Sequence, residues 1–362
     1  MNKIQSPLEA FHSIPRMPLV NLGTPIERCT RIEKEIPHSP NIFIKRDDFL
    51  GYLVGGNKVR KLEYVMADVR AKGATAVVTI GSVQSNHARV TAFVARRCGL
   101  KCALVLNGAL PERPTANYFI DSLLGVEIHS VGTREERAGR MEEVATDLRA
   151  RGENVYTISL GASDETGAFG FVNAFEELLR QEKDLGIEFD AIVFASSSGG
   201  TQAGLEVGKR LFGKRGLLII GISPDNLSGS IRGAVAGIMA PMLKRLGLKD
   251  KPDPSEIIVD DRYVGEGYGI PSGSSLEAAG LFVGTEGILL DPVYTSKAAS
   301  GLLDYCRSGR FPAGWWPSSN RPLPEPLAFI SGFKNNGGTR GFPQGGVTCR
   351  TRSAFCRSFP PS

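Results

Sequence analysis

From Ile42 to Phe311 the chain alternates short β-rich apolar runs with segments of helical period, and this alternation constrains its fold more than anything else. Two parallel strands can be joined only by a long crossover, and a helix is the crossover that packs back onto the sheet. Val59, Leu62, Val65, Met66 and Val69 recur at mostly three- and four-residue spacing, and Gly73 follows as a stop. Ala76 to Ile80 then reads as a buried strand, Gly81 to His87 as a polar loop, the next segment as a helix closing at Gly99, and Cys102 to Leu106 as another strand. The loop falls at the carboxyl end of its strand, where open parallel sheets bind ligands. Ala191 to Ala195, the loop Ser196 to Thr201 and a helix through Leu211 form a second such unit.

A length of 362 residues predicts two domains of ordinary size. The apolar runs are strand-sized, far short of a membrane span, and the N-terminus lacks a basic-then-apolar signal pattern. A cytoplasmic protein with no membrane partner is expected. The six cysteines and four histidines are scattered without a CxxC pair, which points away from a metal site or a disulfide framework. The net charge of +5 resides in the tail: residues 312–362 carry six basic side chains against Glu325 alone, and the remaining 311 residues carry 37 of each sign. A neutral body argues against a nucleic-acid partner.

Three loops carry candidate chemistry. Gly55-Gly-Asn-Lys58 leads straight into a helix, so Lys58 can project an amine into a crevice, where desolvation would make it nucleophilic towards an aldehyde. Taken alone, the segment also suits a surface lysine after a glycine turn. Gln84-Ser-Asn-His87 stands between strand and helix, where free N–H groups, a hydroxyl and an amide make a carboxylate cradle. Plain N-capping by Ser85 or Asn86 suits it as well. Ser196-Ser-Ser-Gly-Gly-Thr201 has the small residues, hydroxyls and helix start of a phosphate cradle, though a glycine-rich turn without a ligand has the same composition. The G-x-G-x-x-G that a nucleotide-binding oxidoreductase needs is absent.

An amine, a carboxylate cradle and a phosphate cradle together equip a pyridoxal phosphate site. In the segments IKRDDFLGYLVGGNKVRKLEYV, GSVQSNHARVTAF, SSSGGTQAGL and GTEGILLDPVYTSKA, the chain resembles the 1-aminocyclopropane-1-carboxylate deaminase/D-cysteine desulfhydrase family. The resemblance implies an α/β, two-domain tryptophan synthase β-like fold (fold type II), with parallel sheets flanked by helices. It implies a large cofactor-binding domain of residues 1–53 plus 163–311 and an inserted small domain of residues 54–162; beyond the resemblance, both tryptophans and eight of the 22 prolines fall in residues 312–362, a composition that suggests an atypical, poorly ordered tail. The resemblance makes Lys58 the Schiff-base lysine and base at Cα, with Asn57 beside it and Asn86 on the cofactor's phenolic oxygen. Ser198, Gly199, Gly200 and Thr201 would hold the phosphate. Ser85, Asn86 and His87 would bind the substrate, and Ser85, Tyr294 and Tyr268 would join Lys58 in catalysis. A homodimer acting on a small amino acid is the family expectation.

Two positions bear on the substrate. Family deaminases that open the cyclopropane ring carry glutamate after the DPVY tyrosine, against the pyridine nitrogen, and glutamine where this chain has His87; here Thr295 follows the tyrosine. A hydroxyl cannot keep that nitrogen protonated as a carboxylate does, which suits elimination of a good leaving group. The resemblance therefore favours a D-cysteine desulfhydrase-like carbon–sulfur lyase giving pyruvate, ammonia and sulfide. 1-Aminocyclopropane-1-carboxylate deaminase and L-cysteate sulfo-lyase are the alternatives. The family's terminal strand with its HTGG turn is not found. Leu327 to Gly332 could imitate it and set Ser331 at the nitrogen; if the strand is lost, an inactive cofactor-binding variant is expected.

Overall fold

The computed structural model describes residues 5–20, 23–51, 55–309 and the backbone of strand 327–330. Eleven α-helices and ten strands lie within them. The N-terminal part supplies α1 (Pro7–His12), β1 (Ile26–Arg28), α2 (Thr30–Glu35) and β2 (Ile42–Lys45). Next come α3 (Asn57–Ala71), β3 (Ala76–Ser82), α4 (Asn86–Arg97), β4 (Lys101–Asn107), α5 (Ala116–Leu123), β5 (Glu127–Val131), α6 (Glu136–Ala150) and β6 (Val155–Ile158). The remainder is α7 (Glu165–Leu185), β7 (Ala191–Ala195), α8 (Gly200–Leu211), β8 (Leu218–Ile222), α9 (Ser228–Arg245), β9 (Ile258–Asp260), α10 (Gly273–Glu286), α11 (Thr295–Ser308) and β10 (Leu327–Ile330).

The strands form two sheets, one of four strands in the order β5-β4-β3-β6 and one of six in the order β1-β2-β10-β7-β8-β9. Every pairing is parallel except that of β1 with β2 at the edge. This is the α/β architecture expected of a fold-type II enzyme. The smaller sheet is continuous in sequence, whereas the larger gathers strands from three distant stretches.

The apolar face read from Val59, Leu62, Val65, Met66 and Val69 is fully buried in α3 and packs on the four-stranded sheet with Val77, Leu104 and Leu106. Helix α3 is also pinned to the larger sheet. Arg60 donates to Asp47 at 2.7 Å and to Glu177 of α7 at 2.9 Å, while Lys45 of β2 donates to the same Glu177. All four groups are buried, so each charge is matched by an opposite one, as charges inside a protein must be.

Within the segment expected to be atypical, Leu327–Ile330 pairs with β2 and β7, Leu327 lying opposite both Ile42 and Ala191. The sheet thus has a strand at its centre, where its loss was considered, while the HTGG turn expected after that strand is absent from the sequence. Ser331, and the rest of 310–326 and 331–362, lie outside the described residues.

Candidate active site

The three helix-start loops expected to carry chemistry open on one cavity of about 180 Å³. Asn57, Lys58, Ser85, Asn86, His87, Ser198, Gly199, Thr201, Tyr268, Tyr294 and Thr295 line it. Gly200 is not in the lining and sits just behind it. The N-termini of α4 and α8 reach this crevice because the parallel strands before them, β3 and β7, point their carboxyl ends at it, and α3 and α11 begin there as well. Unpaired N–H groups and aligned dipoles make such a crevice attractive to anions.

Lys58 stands in the first turn of α3. It is half-buried and turned to the cavity, and desolvation lowers its pKa to about 8. An appreciable fraction is then the neutral, nucleophilic amine near physiological pH. Space for it depends on Gly161: a β-carbon there would come within 3.2 Å of Lys58 Nζ and 3.0 Å of Ser198 Oγ.

The α8 end has the features of an anion cradle. Gly199 caps the helix without a side-chain acceptor. Ser198 Oγ lies 2.7 Å from Ser163 Oγ, which accepts from Lys61 Nζ at 2.9 Å, and Asn57 Nδ2 donates to Thr201 Oγ1 at 3.0 Å. Lys61 is fully buried, and a β-carbon on Gly200 would come within 2.8 Å of its Nζ. Burial first, and the charge of Lys58 second, hold Lys61 well below its ordinary pKa. A nearby dianion would reverse both penalties. Ser196 Oγ is buried in the same turn with no hydrogen-bond partner among the described residues. The residues present fit a phosphate bound here and an aldehyde at Lys58.

Sequence reasoning missed Lys61, although it lies one helical turn from Lys58 and so on the same face. It also missed Asn117, whose Nδ2 donates to Asn86 Oδ1 at 2.9 Å, with Arg89 Nη1 donating in turn to Asn117 Oδ1 at 3.0 Å. These bonds fix the Asn86 amide with its oxygen towards Asn117.

Ser85 is the N-cap of α4, its Oγ accepting from Ala88 N at 3.2 Å. His87, expected to face the substrate, instead points its ring at two threonines. Its Nε2 is 2.8 Å from Thr79 Oγ1, whose proton goes to the Ile158 carbonyl, so Nε2–H is the donor. Burial holds this imidazole well below its usual pKa, hence neutral. What His87 leaves for a ligand is its backbone N–H in the first helical turn.

Across the cavity, the hydroxyls of Tyr268 and Tyr294 are 2.9 Å apart with rings in an edge-on pair. Burial raises Tyr294 well above the usual phenol value, so it stays protonated. Thr295 Oγ1 donates to Asp291 Oδ2 at 2.7 Å, and that carboxylate also accepts from the N–H groups of Val293, Tyr294 and Thr295. Among the described residues no group of His, Cys, Asp and Glu is arranged to hold a metal, and no helix is long and apolar enough to cross a membrane.

Residues 18–315 match the family model described as pyridoxal-phosphate dependent enzyme. The chain is 36% identical over 318 residues to a 1-aminocyclopropane-1-carboxylate deaminase of Methylobacterium nodulans, covering 85% of this chain and 93% of the relative. It is 35% identical over 309 residues to a D-cysteine desulfhydrase of Klebsiella pneumoniae, covering 84% and 92%. A crystal structure of an ACC deaminase homologue superposes with a TM-score of 0.80 at 33% identity, covering 92% of this chain and 96% of that one. A crystal structure of a threonine deaminase shares the fold at a TM-score of 0.63 and 18% identity, covering 93% and 99%. With the three turns gathered on one cavity, the chain belongs to the pyridoxal-phosphate-dependent enzymes, in the lyase family of 1-aminocyclopropane-1-carboxylate deaminase and D-cysteine desulfhydrase.

Proposed function

We propose that the protein cleaves the Cβ–S bond of D-cysteine or a close analogue, giving pyruvate, ammonia and the released sulfur group, which is sulfide from D-cysteine. The observation that carries this reading is a desolvated Lys58 amine sharing one cavity with a phosphate cradle at α8 and a carboxylate cradle at α4. Pyridoxal phosphate, when bound, supplies an aldehyde for the substrate amine and an electron-withdrawing ring that eases loss of the Cα proton. Lys58 Nζ is the amine that tethers that aldehyde and then, freed by substrate, takes the Cα proton, for which a pKa of about 8 is well placed. Ser198, Gly199, Gly200 and Thr201 hold the phosphate, with Asn57 steadying Thr201 and Lys61 supplying charge from behind. Asn86, oriented by Asn117, donates to the phenolic oxygen. Ser85 and the first N–H groups of α4 hold the substrate carboxylate. Tyr294, kept protonated and bonded to Tyr268, gives a proton from its Oη to the departing sulfur.

Thr295 favours elimination over ring opening, because its hydroxyl is committed to Asp291 and brings no carboxylate to the pyridine nitrogen. The two sheets are proposed as the cores of two domains, residues 1–53 with 163–311 and residues 54–162, β10 joining the first. A cytoplasmic homodimer remains part of the proposal, its stoichiometry measurable by light scattering. The main test is sulfide and pyruvate release from D-cysteine, compared with L-cysteate and 1-aminocyclopropane-1-carboxylate, beside a Lys58→Ala control. Borohydride reduction followed by peptide mapping should place the cofactor on Lys58; label on another lysine, or none, refutes the reading.

A further inference from the structure

The cavity holds two cations that the reaction as described does not use. Arg134, in the turn between β5 and α6, and Arg137, in the first turn of α6, both line it. The Arg134 guanidinium lies over the Tyr268 ring, 4.6 Å from its centre. Arg137 Nε donates to the Arg134 carbonyl at 2.9 Å. Neither guanidinium forms an ion pair with a carboxylate among the described residues.

The acids nearby do not neutralise them. Asp291 has its carboxylate occupied by the start of α11. Asp225 lines the cavity and attracts Arg134 without an ion pair to it; its carboxylate accepts from Ser197 Oγ at 3.0 Å, and burial raises its pKa. Glu135 acts on both arginines from a solvent-exposed position, and Glu136 is taken up by Gly132 N and Thr133 Oγ1. Burial and the like charge of Arg134 together depress Arg137. Two guanidiniums lining one crevice, close enough for the charge of Arg134 to act on Arg137, repel, and an anion bound by both removes that repulsion while taking hydrogen bonds from their forks.

We propose that Arg134 and Arg137 form a subsite for an oxyanion on the β-carbon of the substrate, so that the amino acid carries a sulfonate as its sulfur group. This rests on the carbon–sulfur lyase reading and narrows its substrate. The α-carboxylate has its cradle at α4, and the arginines come from another turn beside the tyrosine pair that meets the leaving group. In the reaction the Cα proton passes to Lys58 Nζ, and the Cβ–S bond breaks with its electron pair on sulfur. Cysteate and one water thereby become pyruvate, ammonium and hydrogen sulfite, with no oxidant or reductant required. A thiol, uncharged before it leaves, gains little from such a pair.

The test uses the holoenzyme with both enantiomers of cysteate and of cysteine, reading sulfite, sulfide and pyruvate. Wild type should favour one cysteate enantiomer over cysteine in kcat/KM. Arg134→Ala and Arg137→Ala should each lower that kcat/KM by about 100-fold, chiefly through KM, as expected for removing a charged hydrogen bond to substrate. The loss with cysteine should be at least about tenfold smaller, since the thiol has no oxyanion to bind. Arg137→Lys should restore part of the loss. Binding of unreactive 3-sulfopropanoate gives a readout without turnover and should weaken in parallel. Sulfonate binding and turnover indifferent to both arginines would overturn the subsite, even with sulfide release from cysteine intact. An unlabelled Lys58 would instead defeat the lyase reading, while 3-sulfopropanoate binding still decides the subsite.

Discussion

Helices α8 and α11 both begin at the cavity wall after a turn, yet their N-termini are in opposite electrostatic states. At α8 no side-chain acceptor caps the helix, and Ser198, Thr201 and the amine of Lys61 lie beside its first turn. At α11 Asp291 fills the same position, accepting three backbone N–H bonds and one hydroxyl. A helix start is an anion site only where the chain has not provided an anion of its own. The cavity therefore has one end prepared for a dianion and one that the protein has already neutralised.

Lys58, facing the prepared end, gives the largest expected effect. Lys58→Ala should lower turnover by about 10³-fold or more, with loss of the borohydride-fixed adduct, because it removes both tether and base. Turnover within tenfold of wild type would dissociate the amine from the chemistry. Gly200→Ala places a β-carbon within 2.8 Å of Lys61 Nζ and of the Ser163 backbone. Overpacking of this kind costs about 2 kcal/mol, so cofactor affinity measured by absorbance titration should fall by about 30-fold. Unchanged affinity would show that α8 is not the phosphate end.

At the filled end, Asp291→Asn keeps the shape and removes the charge. It should cost about 1–2 kcal/mol in denaturant unfolding while leaving cofactor affinity within about threefold. A drop in affinity matching that of Gly200→Ala would erase the contrast between the two helix starts. The last test concerns pH. The Lys58 pKa falls from 10.5 to about 8 on folding, so between those values the unfolded chain holds a proton that the folded apoprotein has lost. Apoprotein stability should rise with pH across that window, and below about 8 the full penalty of burying the cation remains. Lys58→Met should flatten the rise, as followed by thermal melting from pH 7 to 10.5.

The turns at Lys58, Ser85 and Ser198 were legible because each is a contiguous cluster at a helix start, the latter two directly after a strand, where composition and position agree. The helical face of Val59, Leu62, Val65, Met66 and Val69 was legible because its period is local. Asp291 lies four residues before Thr295, yet nothing in DPVYT says that its carboxylate folds back over the helix start. His87 looked like a substrate ligand from its place in the loop. Only the neighbouring strands show that Thr79, its own hydroxyl proton given to the Ile158 carbonyl, accepts the hydrogen bond of that ring. Arg134 and Arg137 sit in a charged helix start that reads as solvated surface until Tyr268 is folded against it.

Residue order was enough to dictate the alternating elements, the parallel sheets they require, and the three turns that bring an amine and two open helix starts to one cavity. These follow from periodicity and local backbone chemistry, which act over a few residues. It took the assembled fold to establish that β10 lies between β2 and β7, that Gly161 leaves room for Lys58, and which carboxylates and guanidiniums face the cavity. Those facts depend on contacts between residues far apart in the chain, where distance and desolvation set the energy and local pattern carries no record of either.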